Sequence, residues 1–333
     1  MKGFIEISRY AGMREDLVQA GGGNSSYKES EEKMYIKASG FRLADVSATQ
    51  GYAVVNPAVI RDFFLSGKVT DQITEQEGRA LLDRAFVEGA RPSIETFLHA
   101  VSGRYTLHTH PVVVNALACR EEGMQILKSL FPDAMMVPYA TPGIALARAY
   151  FREYQGSPDI VFLQNHGLVV SADTAHEVIE RTETVLNRLE DYLSVADRSC
   201  HAVTRLWRLF PEQIVWQVTD EHVLRTYRRQ GLWNTAFCPD CVVFLGKRIM
   251  QFAEGMDIET YIRENGKPVV LEYGGHLYIL AESVDKALMI QSVLSFSAQV
   301  MELNNGQRCN ILQDTEQDFL LDWDAERYRQ KMR

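Results

Sequence analysis

The chain has 333 residues, of which 46% are hydrophobic and 24% charged; these proportions set aside disordered, collagen-like and coiled-coil readings and suit roughly two domains, each with its own core. With 35 basic against 44 acidic residues the formal net charge is −9, so nucleic acid and membrane surface are excluded as default partners, because neither phosphodiester backbones nor anionic lipid attract such a chain. Any anion it binds must be captured locally, by backbone amides, hydroxyls or a metal. Glu6 and Arg9 sit where a secretory leader needs an apolar run, and no window approaches the ~18 apolar residues that span a bilayer. The five cysteines are odd in number and scattered, which suits a reducing compartment. A cytoplasmic protein is the expectation.

In chain order, the glycine-rich loop Gly21-Gly22-Gly23-Asn24-Ser25-Ser26 leads through an acidic turn, Glu29 to Lys33, into a predicted strand at Met34 to Ala38 that is stopped by Ser39-Gly40. Gly51 to Val55 reads as another strand. Arg79 to Gly89 has helical spacing, and Arg91-Pro92-Ser93 opens a second helix with Ser93 as N-cap and Ile94, Phe97, Leu98 and Val101 as its apolar face. Strands follow at Tyr105 to His110 and Ile160 to Leu163, with a Pro142-Gly143 turn and a helix from Ile144 between them. Asp173 is the expected cap of a long amphipathic helix whose buried stripe is Val178, Thr182, Val185, Leu186, Leu189 and Leu193. The first domain ends with that helix, near Asp197, giving domains of 1–200 and 201–333. Beyond a connector from Cys200 to Asp220 the pattern predicts a helix over Glu221 to Arg229, a strand over Val242 to Leu245 and a helix over Val284 to Leu303. Between the last two lies a hairpin turning at Gly274-Gly275, a pair able to take the positive φ angles of a two-residue turn. No regular strand-helix-strand rhythm appears, which argues against a doubly wound dinucleotide-binding core.

The residues able to do chemistry are few. In His108-Thr109-His110, side chains alternate across the strand, so both imidazoles share a face and form half a zinc site, or else a structural pair. His166 ends an apolar strand in Asn165-His166-Gly167. Glu95 sits in the first turn of the helix begun by Ser93, where the helix dipole alone favours a carboxylate. The glycine-rich loop is neither a dinucleotide fingerprint nor a Walker loop, but it can form a nest of amides for one phosphate dianion; the helix start at Ser93 is a second natural anion site. Cys238-Pro239-Asp240-Cys241 is a lone CxxC, without the second pair of a zinc ribbon or the surroundings of a redox motif, and reads as two ordinary thiols beside a strand.

Taken in order, Gly-Asn-Ser loop, Ser-Gly, Pro-Ser-x-Glu, His-x-His and Asn-His-Gly followed by a long helix, the span from about Ala20 to Val195 resembles the class II aldolase/adducin family, the metal-dependent sugar-phosphate aldolases acting on fuculose and rhamnulose phosphates. The resemblance implies an α/β fold of the α+β kind, a central, largely antiparallel sheet flanked by helices, here followed by a small α+β C-terminal domain. It implies a divalent metal, zinc first and manganese, cobalt or iron as alternatives, on His108, His110 and His166. Glu95 becomes the catalytic acid/base. Gly23, Asn24, Ser26, Ser39, Gly40 and Ser93 become the cradle of a substrate phosphate, and Tyr139 is the candidate for the tyrosine that protonates the leaving aldehyde in some members. The implied reaction is retro-aldol cleavage of a phosphorylated ketose to dihydroxyacetone phosphate and an aldehyde, in a homo-oligomer, tetramer or dimer. Ile94 stands where the simple aldolases commonly carry a second serine. That departure keeps open an epimerase, dehydratase or decarboxylase on the same scaffold, while a non-enzymatic adducin-like module is disfavoured by the retained histidines and Glu95. The C-terminal part resembles the end of the aldolase half of bifunctional rhamnulose-phosphate aldolase/dehydrogenases, and with no dehydrogenase fingerprint in the chain no nicotinamide chemistry is expected.

Overall fold

The computed structural model describes residues 1–66, 73–156 and 158–322, in two compact units, Met1–Asp197 and Arg198–Arg333. In the first unit the order is α1 (Lys2–Gly12), β1 (Asn24–Ser30), β2 (Lys33–Lys37), β3 (Tyr52–Val55), α2 (Pro57–Leu65), α3 (Glu75–Ala85), β4 (Phe86–Gly89), α4 (Thr96–Val101), β5 (Tyr105–Thr109), α5 (Val112–Ala118), α6 (Gly123–Leu130), β6 (Met135–Val137), α7 (Ile144–Glu153), β7 (Ile160–Leu163), β8 (Gly167–Ala172) and α8 (Ala175–Leu193). The eight strands form one sheet in the order β4-β3-β2-β1-β5-β8-β7-β6. Every neighbouring pair is antiparallel except β6 with β7. This is a mixed α/β architecture with a large, mainly antiparallel sheet between helices, as expected.

Helices α2, α3, α4 and α7 close one face over a core that includes Ile60, Phe64, Leu81, Phe97, Ile144, Tyr150 and Leu163. Helices α1, α5 and α8 contact the sheet as a second group. The split of the sheet into two faces is what aims the polar side chains. In β1, Ser25 turns toward α1, where its hydroxyl meets that of Ser8 at 2.7 Å, while Asn24 and Ser26 turn toward α4. Asn24 pairs in register with His108 on β5, so the two side chains share that face.

Several boundaries differ from the pattern of the sequence. The sequence pattern hides β1: the glycine-rich loop runs straight into seven extended residues, and the acidic turn expected over Glu29 to Lys33 narrows to Glu31-Glu32, since Glu29 and Ser30 end β1 and Lys33 opens β2. The helix expected over 79–89 ends at Ala85, and the chain continues as the edge strand β4, because Phe86 is already extended and the β-branched Val87 favours that state. The helix expected from Ser93 begins three residues later, with Glu95 at its N-cap. The long helix α8 is capped by Thr174, not Asp173, through a reciprocal box with Glu177.

The second unit contains α9 (His201–Leu209), β9 (Ile214–Gln217), α10 (Glu221–Gln230), α11 (Pro239–Leu245), β10 (Met250–Gln251), α12 (Ile258–Asn265), β11 (Val270–Tyr273), β12 (His276–Ala281), α13 (Val284–Asn304) and α14 (Asp314–Asp322). Its sheet runs β10-β11-β12-β9, with β10 parallel to β11 and the other pairs antiparallel. The Gly274-Gly275 hairpin forms as expected, with φ of +60° and +85° at the two glycines. The connector 200–220 is not irregular, since it carries α9 and β9. The strand expected at Val242 to Leu245 is the helix α11: Pro239 at its first position and Asp240 in its first turn start a helix, and a short apolar run is compatible with either state when all of it is buried.

Candidate metal centre

Three imidazoles converge at one end of the first sheet. His108 comes from the end of β5, His110 from just beyond it, and His166 from the loop that joins β7 to β8. Their ring centroids lie 4.9, 4.9 and 5.0 Å apart, and one nitrogen from each falls within 4.8 Å of the others. His108 is only 1% exposed, and its Nδ1 lies 3.0 Å from the Leu168 carbonyl on the paired strand β8. That bond places the proton on Nδ1 and presents Nε2 to the cluster. The Nε2 atoms of His108 and His110 are 3.1 Å apart, close to the edge of about 3.3 Å for two nitrogens about 2.0–2.1 Å from a tetrahedral zinc. The donor set therefore fits a divalent metal of the borderline kind that imidazole binds.

The local backbone explains why these rings meet. Asn165 adopts a left-handed conformation (φ +54°), and Gly167 passes so close to the paired strand β5 that a Cβ there would sit 2.2 Å from the Thr109 carbonyl and 3.1 Å from the His110 ring. Asn115 of α5 donates to the His166 carbonyl at 3.1 Å and fixes the loop. The glycine-rich loop has a related steric role: a Cβ on Gly22 would approach His110 Nδ1 to 2.9 Å. Leu17 in the segment before it accepts the His110 amide at 2.8 Å.

Glu95 completes the cluster. Its Oε1 lies 3.2 Å from His166 Nε2 and 3.5 Å from His108 Nε2, and Asn24 Nδ2 donates to its other oxygen. As an N-cap residue it makes no side-chain bond to its own helix. The helix-dipole explanation for a glutamate at this position is thus set aside by where the carboxylate goes. Burial disfavours its charge, but the His108 and His166 imidazoles outweigh burial and hold the Glu95 carboxyl well below the usual carboxylate range. Burial likewise opposes charge on His108, and Glu95 overrides it to raise that group; partial burial, then the His108 and His166 imidazoles beside it, pushes the half-buried His110 down to about 3. Asn24 Oδ1 and His166 Nδ1 are buried without a hydrogen-bond partner among the described residues, so polar capacity remains for a ligand.

The residues assigned to a phosphate cradle divide. Ser39 and Gly40 form an exposed turn whose Ser39 amide donates to Arg91 O at 2.9 Å, and the bridge from Ala38 to Pro92 sets that turn beside the segment bearing Ser93. Ser93 is buried and its hydroxyl accepts the Glu95 amide at 3.3 Å, a local turn rather than the expected helix cap. Gly23 has φ +72°, and a Cβ there would meet His108 O at 2.9 Å. Ser26 is the correction: it is fully buried, and its hydroxyl is 2.7 Å from His99 Nδ1, so it joins β1 to α4 instead of lining open space. Tyr139 is 60% exposed in the loop before α7, its amide bonded to Gln164 Oε1 at 3.1 Å. Ile94 packs against the apolar core under α4.

Sequence reasoning passed over Lys37. It is 2% exposed, its Nζ donates to Gly21 O at 3.1 Å, and burial lowers its pKa while Glu95 opposes that shift. A lysine followed directly by Ala-Ser-Gly at a strand end was the available signal.

A family profile described as "Class II Aldolase and Adducin N-terminal domain" matches residues 2–193. A Bacillus subtilis protein named "Uncharacterized oxidoreductase YuxG" is 28% identical over 214 residues, 58% of this chain and 30% of that one, so the chain spans less than a third of the curated relative. The N-terminal class II aldolase domain of a conserved Thermoplasma acidophilum protein superposes with a TM-score of 0.50 and 25% identity, over 57% of this chain and 92% of that one. An l-fuculose-1-phosphate aldolase from Thermus thermophilus overlaps more loosely, with a TM-score of 0.37 and 18% identity over 62% and 95% of the two chains.

Proposed function

This chain belongs to the class II aldolase and adducin family, and from that premise we propose that it is a metal-dependent carbon–carbon lyase cleaving a phosphorylated ketose by retro-aldol chemistry. The observation that carries the reading is the meeting of three imidazoles with one buried carboxylate, Glu95, at one end of a sheet. A divalent cation held by His108, His110 and His166 would supply Lewis-acid charge where negative charge develops as the bond breaks, an effect worth several kcal/mol in order of magnitude.

The remaining work falls to the chain. Glu95, held ionised at neutral pH by its imidazole neighbours, is in the form that accepts a proton, and the Asn24 bond to one of its oxygens turns the other toward His108 and His166. Lys37 and the Ser39–Gly40 turn offer a positive charge and exposed backbone next to the Ser93 segment, suited to hold and orient the phosphate end of the substrate. This anchoring converts binding energy into alignment of the scissile bond with Glu95. Tyr139, exposed on its loop, is positioned to act only if substrate or a second subunit covers it, and a homo-oligomer would provide such cover.

One observation favours a second reading on the same machinery. Ile94 packs against the apolar core at the position where the simple aldolases commonly carry a second serine; without that hydroxyl a substrate phosphate would be held differently, which suits an epimerase, dehydratase or decarboxylase. Product analysis separates the two. Purified protein loaded with zinc, manganese or cobalt should release dihydroxyacetone phosphate from a candidate ketose 1-phosphate, and Glu95→Gln should lower kcat by about 10²- to 10⁴-fold while metal content stays unchanged. Turnover without any three-carbon product rejects the aldolase reading; turnover undiminished by complete metal removal rejects both.

A further inference from the structure

The first turn of α11 brings two thiols together that the proposed reaction does not use. Cys238 is the N-cap and Cys241 the third helical residue, the pair of positions whose side chains lie side by side in a capping box. Here no hydroxyl or carboxylate caps the helix, and the two Sγ atoms are 3.3 Å apart. A disulfide needs about 2.05 Å between sulfurs, so the bond calls for an approach of little more than an ångström along side chains that already converge. Burial separates their roles. Cys241 lies fully inside the core of the second unit with Val223, Leu245 and Leu294, whereas Cys238 reaches the surface.

We propose that Cys238 and Cys241 form a reversible dithiol/disulfide site that takes a small-molecule disulfide of the glutathione class as its oxidant. The Cys238 thiolate attacks one sulfur of the oxidant RSSR; a Cys238–SR bond forms, and the first RS⁻ leaves and takes up the proton that Cys238 lost. Cys241 then attacks Cys238 Sγ and expels the second RS⁻, which accepts the Cys241 proton. The protein loses two hydrogens and two electrons, and RSSR becomes two RSH. Burial, with Cys238 beside it, pushes the Cys241 thiol up, which keeps this sulfur protonated until the mixed disulfide is in contact. Closing the bond ties the N-cap to the third helical residue, the link a hydroxyl cap would otherwise make. This site is independent of the lyase reading.

The test uses the metal-loaded chain of 333 residues equilibrated with excess glutathione disulfide, quenched in acid, alkylated and mapped by peptide mass. The expected product is a Cys238–Cys241 crosslink, with alkylation at these two of the five cysteines lost and then restored by a dithiol reductant. In Cys241→Ser the intermediate should persist as glutathione bound to Cys238. Recovery of both cysteines alkylated, or of a stable glutathione adduct on Cys238 in the unsubstituted chain, overturns the proposal. The unsubstituted chain alone decides, whether or not a variant folds.

Discussion

Strands β5 and β12 are both interior, antiparallel and buried, yet they are built from different residues. β12 presents Leu277, Tyr278, Ile279, Leu280 and Ala281, all in the apolar interior of the second unit. β5 buries Thr106, His108 and Thr109 beside Leu107, and next to it lie the buried Asn24, Ser25, Ser26, Lys37, Glu95 and His99. Polar groups cost free energy on burial unless they are paired, so a sheet carries this many only where they satisfy one another or await a ligand. The pairing is visible at Thr106 with Ser171 (3.1 Å), Ser26 with His99, and His108 with Leu168 O. The comparison teaches that the first sheet is organised around a site and the second around its own core.

The sharpest way to break that contrast is to remove a ligand. His166→Ala should abolish stoichiometric metal and reduce turnover by about 10³-fold or more, because one imidazole is lost and Glu95 is left half-partnered; metal analysis alongside kinetics checks it, and full metal occupancy in the variant would contradict it. The matching lesion in the second sheet is Leu277→Ala. A fully buried leucine is deleted, so stability should drop by about 2–5 kcal/mol in denaturant unfolding while metal content holds.

A subtler difference is the response to acid. His99 is wholly buried; burial, then the neighbouring His108, pushes it down to about 3 from an ordinary 6.5. Below about pH 6.5 the unfolded chain binds a proton that the folded chain refuses, so the metal-free protein should lose stability steadily between 6.5 and about 3. His99→Gln should flatten that slope in urea titrations at successive pH values. An unchanged slope would remove His99 from the account. The smallest effect concerns a cap remote from this chemistry: Thr174→Ala breaks the box at α8 and should cost about 1 kcal/mol with turnover intact.

Much of this was legible along the chain because it depends on short-range geometry. Alternation along a strand put His108 and His110 on one face, and a Gly-Gly pair between apolar runs specified the hairpin at 274–275. Of the predicted stripe, Val178, Thr182, Val185, Leu186 and Leu189 are buried as their spacing required, while Leu193, at the end of the helix, is only half-buried. The misreadings share another cause. Asn24–Ser30 is polar, so its strand is invisible to an apolar pattern and is held by two neighbours, β2 and β5. Val242 to Leu245 is apolar on every side, so period carried no information and Pro239 decided for helix.

Local sequence determined which residues carry donors, which turns glycine permits and where helices take their caps, since each is settled within a few bonds of backbone. Only the tertiary structure decided that His166, more than fifty residues from His108, joins it within reach of one ion, that Glu95 leaves its own helix for those imidazoles, that Ser26 is spent on His99, and that Lys37 is drawn in beside Gly21. Those outcomes rest on strand order and register, which are set by the packing of the whole unit and by the cost of leaving any buried charge unpaired.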